Sequence, residues 1–231
     1  MGDASEDRRD DEERLLVRAG WPAVLDRILA GLSHDLNGRV TALRGFLELA
    51  ELGDAPGSLE AFLKGEVERL ELLARTLWSL NDGSPAPELV APGPFLSGVL
   101  QLHERHRGLE TLATALRADR EAPAFRASQR ELRRVLLVAL AQVAWSALAL
   151  GGRAVVVSCA VGEDDGLVID LEPEGSGAPR DPPGRAVPAH AGPDAGRALA
   201  ALAELLAHQE IRLHVTRGEA GLALRLAFPA V

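Results

Sequence analysis

The sequence predicts an α+β fold: an N-terminal antiparallel helical hairpin forming a four-helix bundle by dimerisation, followed by a small α/β sandwich. Three observations carry this expectation. Two successive stretches space their apolar residues in steps of three and four. A cluster of helix breakers closes them. Beyond it, short β-rich runs alternate with apolar helices.

Residues 1–13 hold seven acidic residues against Arg8 and Arg9 and have no apolar period. They are expected to form a disordered acidic tail. Residues 14–82 are expected to form the hairpin. Trp21-Pro22 opens its first helix, because proline lacks only an N–H that a first turn leaves unused. Leu25, Leu29, Leu32, Leu36, Val40, Leu43, Leu47 and Ala50 then make one narrow seam, which Gly53-Asp54-Ala55-Pro56-Gly57 stops. Ser58 can cap the second helix, about 58–81, whose seam is Leu59, Leu63, Val67, Leu70, Leu73, Leu77 and Leu80. Two such helices cannot enclose a core alone, so a homodimer through residues 22–81 is the simplest completion.

Residues 83–93 read as a linker, and 94–231 as the second domain. Pro94 to about Arg107 looks helical, with His103 and His106 on a solvated helix end, and a strand is possible within 110–116. A strongly apolar helix spans 129–150, followed by strands at 154–161 and 167–171. Asp170 and Glu172 alternate with Ile169 and Leu171 and mark the solvent face of the second strand, while Cys159 reads as core. A Pro- and Gly-rich loop covers 173–194. A helix at 195–208 and a hairpin of 211–216 with 222–228 complete the chain.

Composition narrows the function. The 231 residues carry 25 Lys+Arg against 34 Asp+Glu, a net charge of −9, with 3% aromatics. A polyanion is repelled and stacking platforms are scarce, so nucleic acid is not an expected partner. One cysteine supports neither an internal disulfide nor a multi-Cys metal site, which fits a cytoplasmic setting. No apolar run is expected to cross a bilayer, and the charged N-terminus is the reverse of a signal peptide. Most of the acidity belongs to residues 1–13.

The segment Leu32-Ser33-His34-Asp35-Leu36-Asn37-Gly38-Arg39-Val40-Thr41-Ala42-Leu43 carries the chemistry. His34 lies about 160° from the seam's mean direction at 100° per residue and points outward. An outward imidazole offers a nucleophilic nitrogen, Asp35 can orient it, and Gly38 removes bulk one turn away.

SHDLNGRVTALRGFLEL resembles the phosphoacceptor box of sensor histidine kinases, H-[ED]-L-[RN]-x-P-L-x-x-I. His34, Asp35, Leu36, Asn37, Val40 and Leu43 match, and Arg39 replaces the usual proline. Arg134–Val143 overlays that family's asparagine box. Leu167–Ala178 overlays its first glycine box, and LALRLAFP its closing strand, so the resemblance covers 14–231. It implies an ATP-binding-type domain whose nucleotide contacts have decayed. The two asparagine positions fall on Val138 and Gln142, and the adenine-binding aspartate falls on Pro173. Gly175 and Gly177 persist, while the later lid is reduced to Gly192–Leu199.

A kept acceptor beside a decayed nucleotide site is similar to the dimeric histidine phosphotransferases derived from histidine kinases. The resemblance then implies phosphoryl transfer between response-regulator receiver domains through His34, with Asp35 positioning the ring and Asn37, Arg39 and Arg44 meeting the regulator. No ATP and no metal are expected on this chain, and Mg²⁺ is expected on the regulator. With Gly38 unable to orient a hydrolytic water, phosphatase activity is not expected. The alternatives are a pseudokinase scaffold that binds regulators, a divergent active kinase, and a structural dimer without phosphoryl chemistry.

Overall fold

The computed structural model describes residues 3–51, 58–81, 83, 86–119, 121–162, 166–174, 195–219 and 221–230, with backbone alone over 3–9. Its helices are α1 (Asp3–Ala19), α2 (Trp21–Glu51), α3 (Leu59–Ser79), α4 (Pro92–His103), α5 (Gln129–Ala149) and α6 (Ala195–Ala207). Its strands are β1 (Glu88–Val90), β2 (Ala113–Ala118), β3 (Phe125–Ala127), β4 (Ala154–Val161), β5 (Leu167–Glu174), β6 (Arg212–Gly218) and β7 (Gly221–Ala227).

Five strands form one mixed sheet in the order β2-β4-β5-β7-β6, with β2 and β4 parallel and the other neighbours antiparallel. Along β5, Leu167, Ile169 and Leu171 are buried against the helices, while Glu172 is exposed and Asp170 pairs across to Arg225 at 2.7 and 3.0 Å. The alternation expected for this strand is therefore present. α5 packs on β4, β5 and β7, α6 on β6, and α4 on β2. The result is the expected helix-on-sheet α+β arrangement. α5 begins at Ser128, whose Oγ accepts from the Glu131 backbone N–H at 3.4 Å. It is also long and apolar enough to cross a membrane by length and composition, contrary to expectation, but 78% of its apolar window is buried inside the protein. That surface is spent on the core.

The expected tail is instead the start of α1. A reading of local composition sees charge, but the helix is anchored at its far end, where Leu15, Leu16 and Ala19 are buried and α1 lies along α6. Packing of one end supplies the nucleus that an isolated charged helix lacks, and Glu and Arg propagate it well. Glu13 also pairs with Arg134 of α5 at 3.1 Å. The expected linker is likewise structured: β1 pairs with β3, and Ala91 and Pro92 start α4.

α2 and α3 form the antiparallel hairpin, with Arg39 opposite Glu66 and Phe46 stacked on Phe62 at 4.0 Å between centroids. Ser58 caps α3 as expected, accepting from the Ala61 N–H at 3.4 Å. The turn at 53–57 lies outside the described residues. The hairpin follows the sequence-read seam only in part: Leu32 and Leu80 are buried, but Leu36, Val40, Leu47, Val67 and Leu77 remain exposed, while Phe46, Glu66 and Thr76, off the seam, are buried. The Glu66 carboxylate is 2% exposed and is held by Arg39 at 3.6 Å and by Arg69. Its partners are partly solvated, so the two ends differ in cost. Removing both arginines leaves a buried charge alone, and Arg39→Ala/Arg69→Ala is expected to lose about 2–4 kcal/mol in urea denaturation. Glu66→Ala frees two cations that water can reach and is expected to lose less.

His103 and His106 are buried rather than solvated, because α4's end tucks beneath α5, with His106 edge-on to Trp145 at 6.0 Å. Burial, reinforced by the charge of neighbouring His106, lowers His103 to about 3. Burial and the adjacent Arg27 cation lower His106 to about 4. Both values lie below the unfolded 6.5, so as pH falls the unfolded chain takes up protons first. The stability of the neutral pair is whole above about pH 6.5 and lost progressively towards pH 3–4. The urea midpoint is expected to fall across that window, and less steeply in His103→Leu. Parallel profiles for the two proteins would contradict this assignment.

Candidate functional site

His34 sits where α2 is most firmly seated on the rest of the molecule. Gly31, one turn earlier, lies so close to the loop after α4 that an added Cβ would stand 1.8 Å from the Arg105 carbonyl oxygen. The Arg107 N–H donates to the Arg27 carbonyl at 3.2 Å, and the Arg105 guanidinium donates to Asp35 Oδ2. Only glycine permits this close approach. These contacts fix the rotation of α2 about its axis, and with it the direction of His34.

The imidazole is 65% exposed, with Nδ1 3.6 Å from Asp35 Oδ1. That distance is an electrostatic contact rather than a hydrogen bond. With Nδ1 on the carboxylate side, Nε2 is the nitrogen left open to an incoming group. Asp35 is thus shared, one oxygen towards the ring and the other on Arg105. Arg105 is a residue that sequence reasoning missed, since its 70-residue separation from Asp35 leaves no local pattern. Asn37 and Gly38 are exposed on the following turn.

The two arginines expected beside the acceptor part company. Arg44 is well exposed and pairs with Glu48 at 3.2 Å. Arg39 turns back to buried Glu66. Arg44 is thus the most exposed cation of the three, while Arg39 and Arg105 are each partly exposed and held by a carboxylate.

The nucleotide-contact positions are dispersed. Val138 is fully buried in the core of α5, where it offers no polar group. Pro173 is half-buried on β5, opposite Val155 and beyond Leu171, where the pairing with β7 ends. A residue without an N–H is tolerated there. Gly175, Gly177 and residues 192–194 of the reduced lid lie outside the described residues, while the lid's remaining residues, 195–199, open α6. Gln142, 9% exposed, borders a cleft beside α1. Among the described residues no group of three or more His, Cys, Asp or Glu side chains could hold a metal ion.

No family model matches the chain, and no curated protein matches it. Solved structures do show likeness. The chain is similar to the Acinetobacter baumannii histidine kinase AdeS, at TM-score 0.45 and 17% identity over 85% of this chain and 97% of that one. It is similar to the histidine kinase domain of the Erythrobacter litoralis EL346 blue-light activated histidine kinase, at TM-score 0.40 and 17% identity over 95% and 94%. It is also similar to histidine kinase ThkA, crystallised in complex with response regulator protein TrrA, at TM-score 0.44 and 15% identity over 98% and 66%.

Proposed function

We propose that this chain is a histidine phosphotransferase of a bacterial two-component phosphorelay, passing a phosphoryl group between response-regulator aspartates through His34 without using ATP. The observation that carries this reading is the exposed His34 imidazole, held with Nδ1 toward Asp35 on a helix locked against the sheet domain. In the first step the P–O bond of a regulator's aspartyl phosphate breaks, an N–P bond forms at His34 Nε2, and the aspartate leaves as carboxylate. The second regulator reverses these events. Both donors are energy-rich, so alignment is the main requirement. Asp35 steadies the ring electrostatically from its Nδ1 side, and Mg²⁺ belongs to the regulator.

Val138 supports the ATP-free reading, since an apolar, fully buried side chain cannot hold a nucleotide's metal ion. The uncovered stripe of Leu36, Val40, Leu47, Val67 and Leu77 supports a homodimer in which two hairpins close a four-helix bundle.

The test is to mix the protein with receiver domains charged by acetyl phosphate, in the absence of ATP. Acid-labile, base-stable label on this chain is the expected outcome. Regulator binding without label favours the scaffold reading. Labelling by ATP and Mg²⁺ alone favours an active kinase.

A further inference from the structure

Asp35 stands between two groups from different parts of the chain. On one side is the His34 ring, with Nδ1 3.6 Å from Oδ1; on the other is the Arg105 guanidinium, which donates to Oδ2. Exposed arginines of the hairpin pair one turn along their own helix, as Arg44 does with Glu48 and Arg75 with Glu71. Arg105 instead reaches 70 residues back, from the loop after α4 to the residue beside the acceptor. Its Nε is buried with no hydrogen-bond partner, so among the described residues Asp35 is the side chain that holds it.

The loop that carries Arg105 is itself firmly based. The backbone N–H groups of Arg105 and His106 donate to the Leu102 and His103 carbonyls at 3.1 and 2.9 Å, and His103 and His106 are buried. The Arg105 carbonyl also stands against Gly31, one turn before Asp35. A surface aspartate on a helix has more than one staggered side-chain position open to it. Anchored in this way, the guanidinium selects for Asp35 the position that faces Nδ1. A carboxylate there favours the neutral ring with its proton on Nδ1, because that N–H dipole points at the negative charge. The other tautomer places the proton on Nε2 and leaves no lone pair there to attack.

We propose that Arg105 is a positioning residue for His34: by fixing Asp35 it keeps the ring proton on Nδ1 and the lone pair on Nε2. The chemical consequence rests on the phosphotransfer reading, whereas the place of the proton does not. In the transfer, the Nε2 lone pair forms the N–P bond, the aspartyl P–O bond breaks, and the regulator's carboxylate keeps that electron pair. The proton stays on Nδ1, and the positive charge gained by the ring lies beside Asp35. Arg105 acts through Asp35, in the way a third group orients the partner of a nucleophile.

The experiment compares the full chain with Arg105→Met, which keeps an apolar stem without the charge, and with Arg105→Lys, which restores a cation. The backbone approach to Gly31 is common to all three. Two-bond ¹H–¹⁵N spectra of histidine-labelled protein, at about pH 8.5 where an ordinary imidazole is neutral, read the tautomer. The His34 signals are those missing from His34→Ala. The expected result is a proton mainly on Nδ1 in the parent, a shift towards Nε2 in Arg105→Met, and its return in Arg105→Lys. At saturating phosphorylated receiver, transfer is expected to slow about tenfold in Arg105→Met, with the half-saturating concentration within about twofold. Combined with Asp35→Asn, Arg105→Met is expected to cost nothing further, since both act through one carboxylate. A proton on Nε2 in the parent, or an unchanged tautomer in Arg105→Met, overturns the proposal. So does full additivity with Asp35→Asn, or a loss confined to the half-saturating concentration, which would make Arg105 a docking contact. No label on the parent defeats the phosphotransfer reading alone, and the tautomer comparison still decides the role of Arg105.

Discussion

Challenged with a phosphorylated receiver domain, the His34→Ala protein takes up no label, a loss of at least about a thousandfold, because the nucleophile itself is gone. Its far-UV spectrum and melting temperature stay as in the parent, since the side chain is largely exposed and its contact is a 3.6 Å approach to Asp35. Asp35→Asn gives a different result. The ring keeps its nitrogen but loses the carboxylate that steadies it, so transfer slows by about ten- to a hundredfold without disappearing. Among the other described histidines, His103 and His106 are buried and unable to meet a partner, while His208 and His214 are exposed. Label persisting in His34→Ala would move the acceptor to another histidine and sink the assignment.

Gly31→Ala is expected to have the largest structural effect. The added methyl would meet the carbonyl oxygen of Arg105 at 1.8 Å and its carbon at 2.8 Å. These are backbone atoms, which cannot swing away as a flexible side chain would. To admit the methyl, α2 must move from the loop, stretching the Arg107–Arg27 bond and the Asp35–Arg105 pair. The expected cost is about 3–5 kcal/mol, read as a fall of roughly 6–20 °C in melting temperature. Gly38, only two turns on, has open space where its Cβ would stand. Gly38→Ala is therefore expected to hold or raise stability, by up to about 1 kcal/mol, through helix propensity alone. Equal melting temperatures for the two variants would show that the close approach is not holding α2.

The sequence makes legible whatever is written in local period and local capping. The two hairpin helices, Ser58 as a cap, the alternation along β5 and the outward aim of His34 all follow from neighbours a few residues apart, whereas the face on which the hairpin's own contacts lie does not. What it hides is set by distant partners. α1 reads as a tail because its reason for folding, the face of α6, lies nearly two hundred residues away. His103 and His106 read as solvated because nothing nearby announces that α5 will cover them. Glu66 looks like any surface acid between polar neighbours until α2 supplies Arg39. The same limit applies to Arg105, which contributes to the acceptor site and has no sequence signature.

The seating of α2 has a mechanical consequence. From Gly20, a joint with φ +94° between α1 and α2, to Asp35, the helix is fastened at Arg27, at Gly31 and at Asp35 itself. A rod pinned at successive turns can neither roll nor slide. One residue of roll would swing the imidazole through about 100°. Under the proposed phosphotransfer, traffic through His34 is governed by which partner arrives and how it docks, as at a fixed terminal, and not by turning the imidazole in and out of reach.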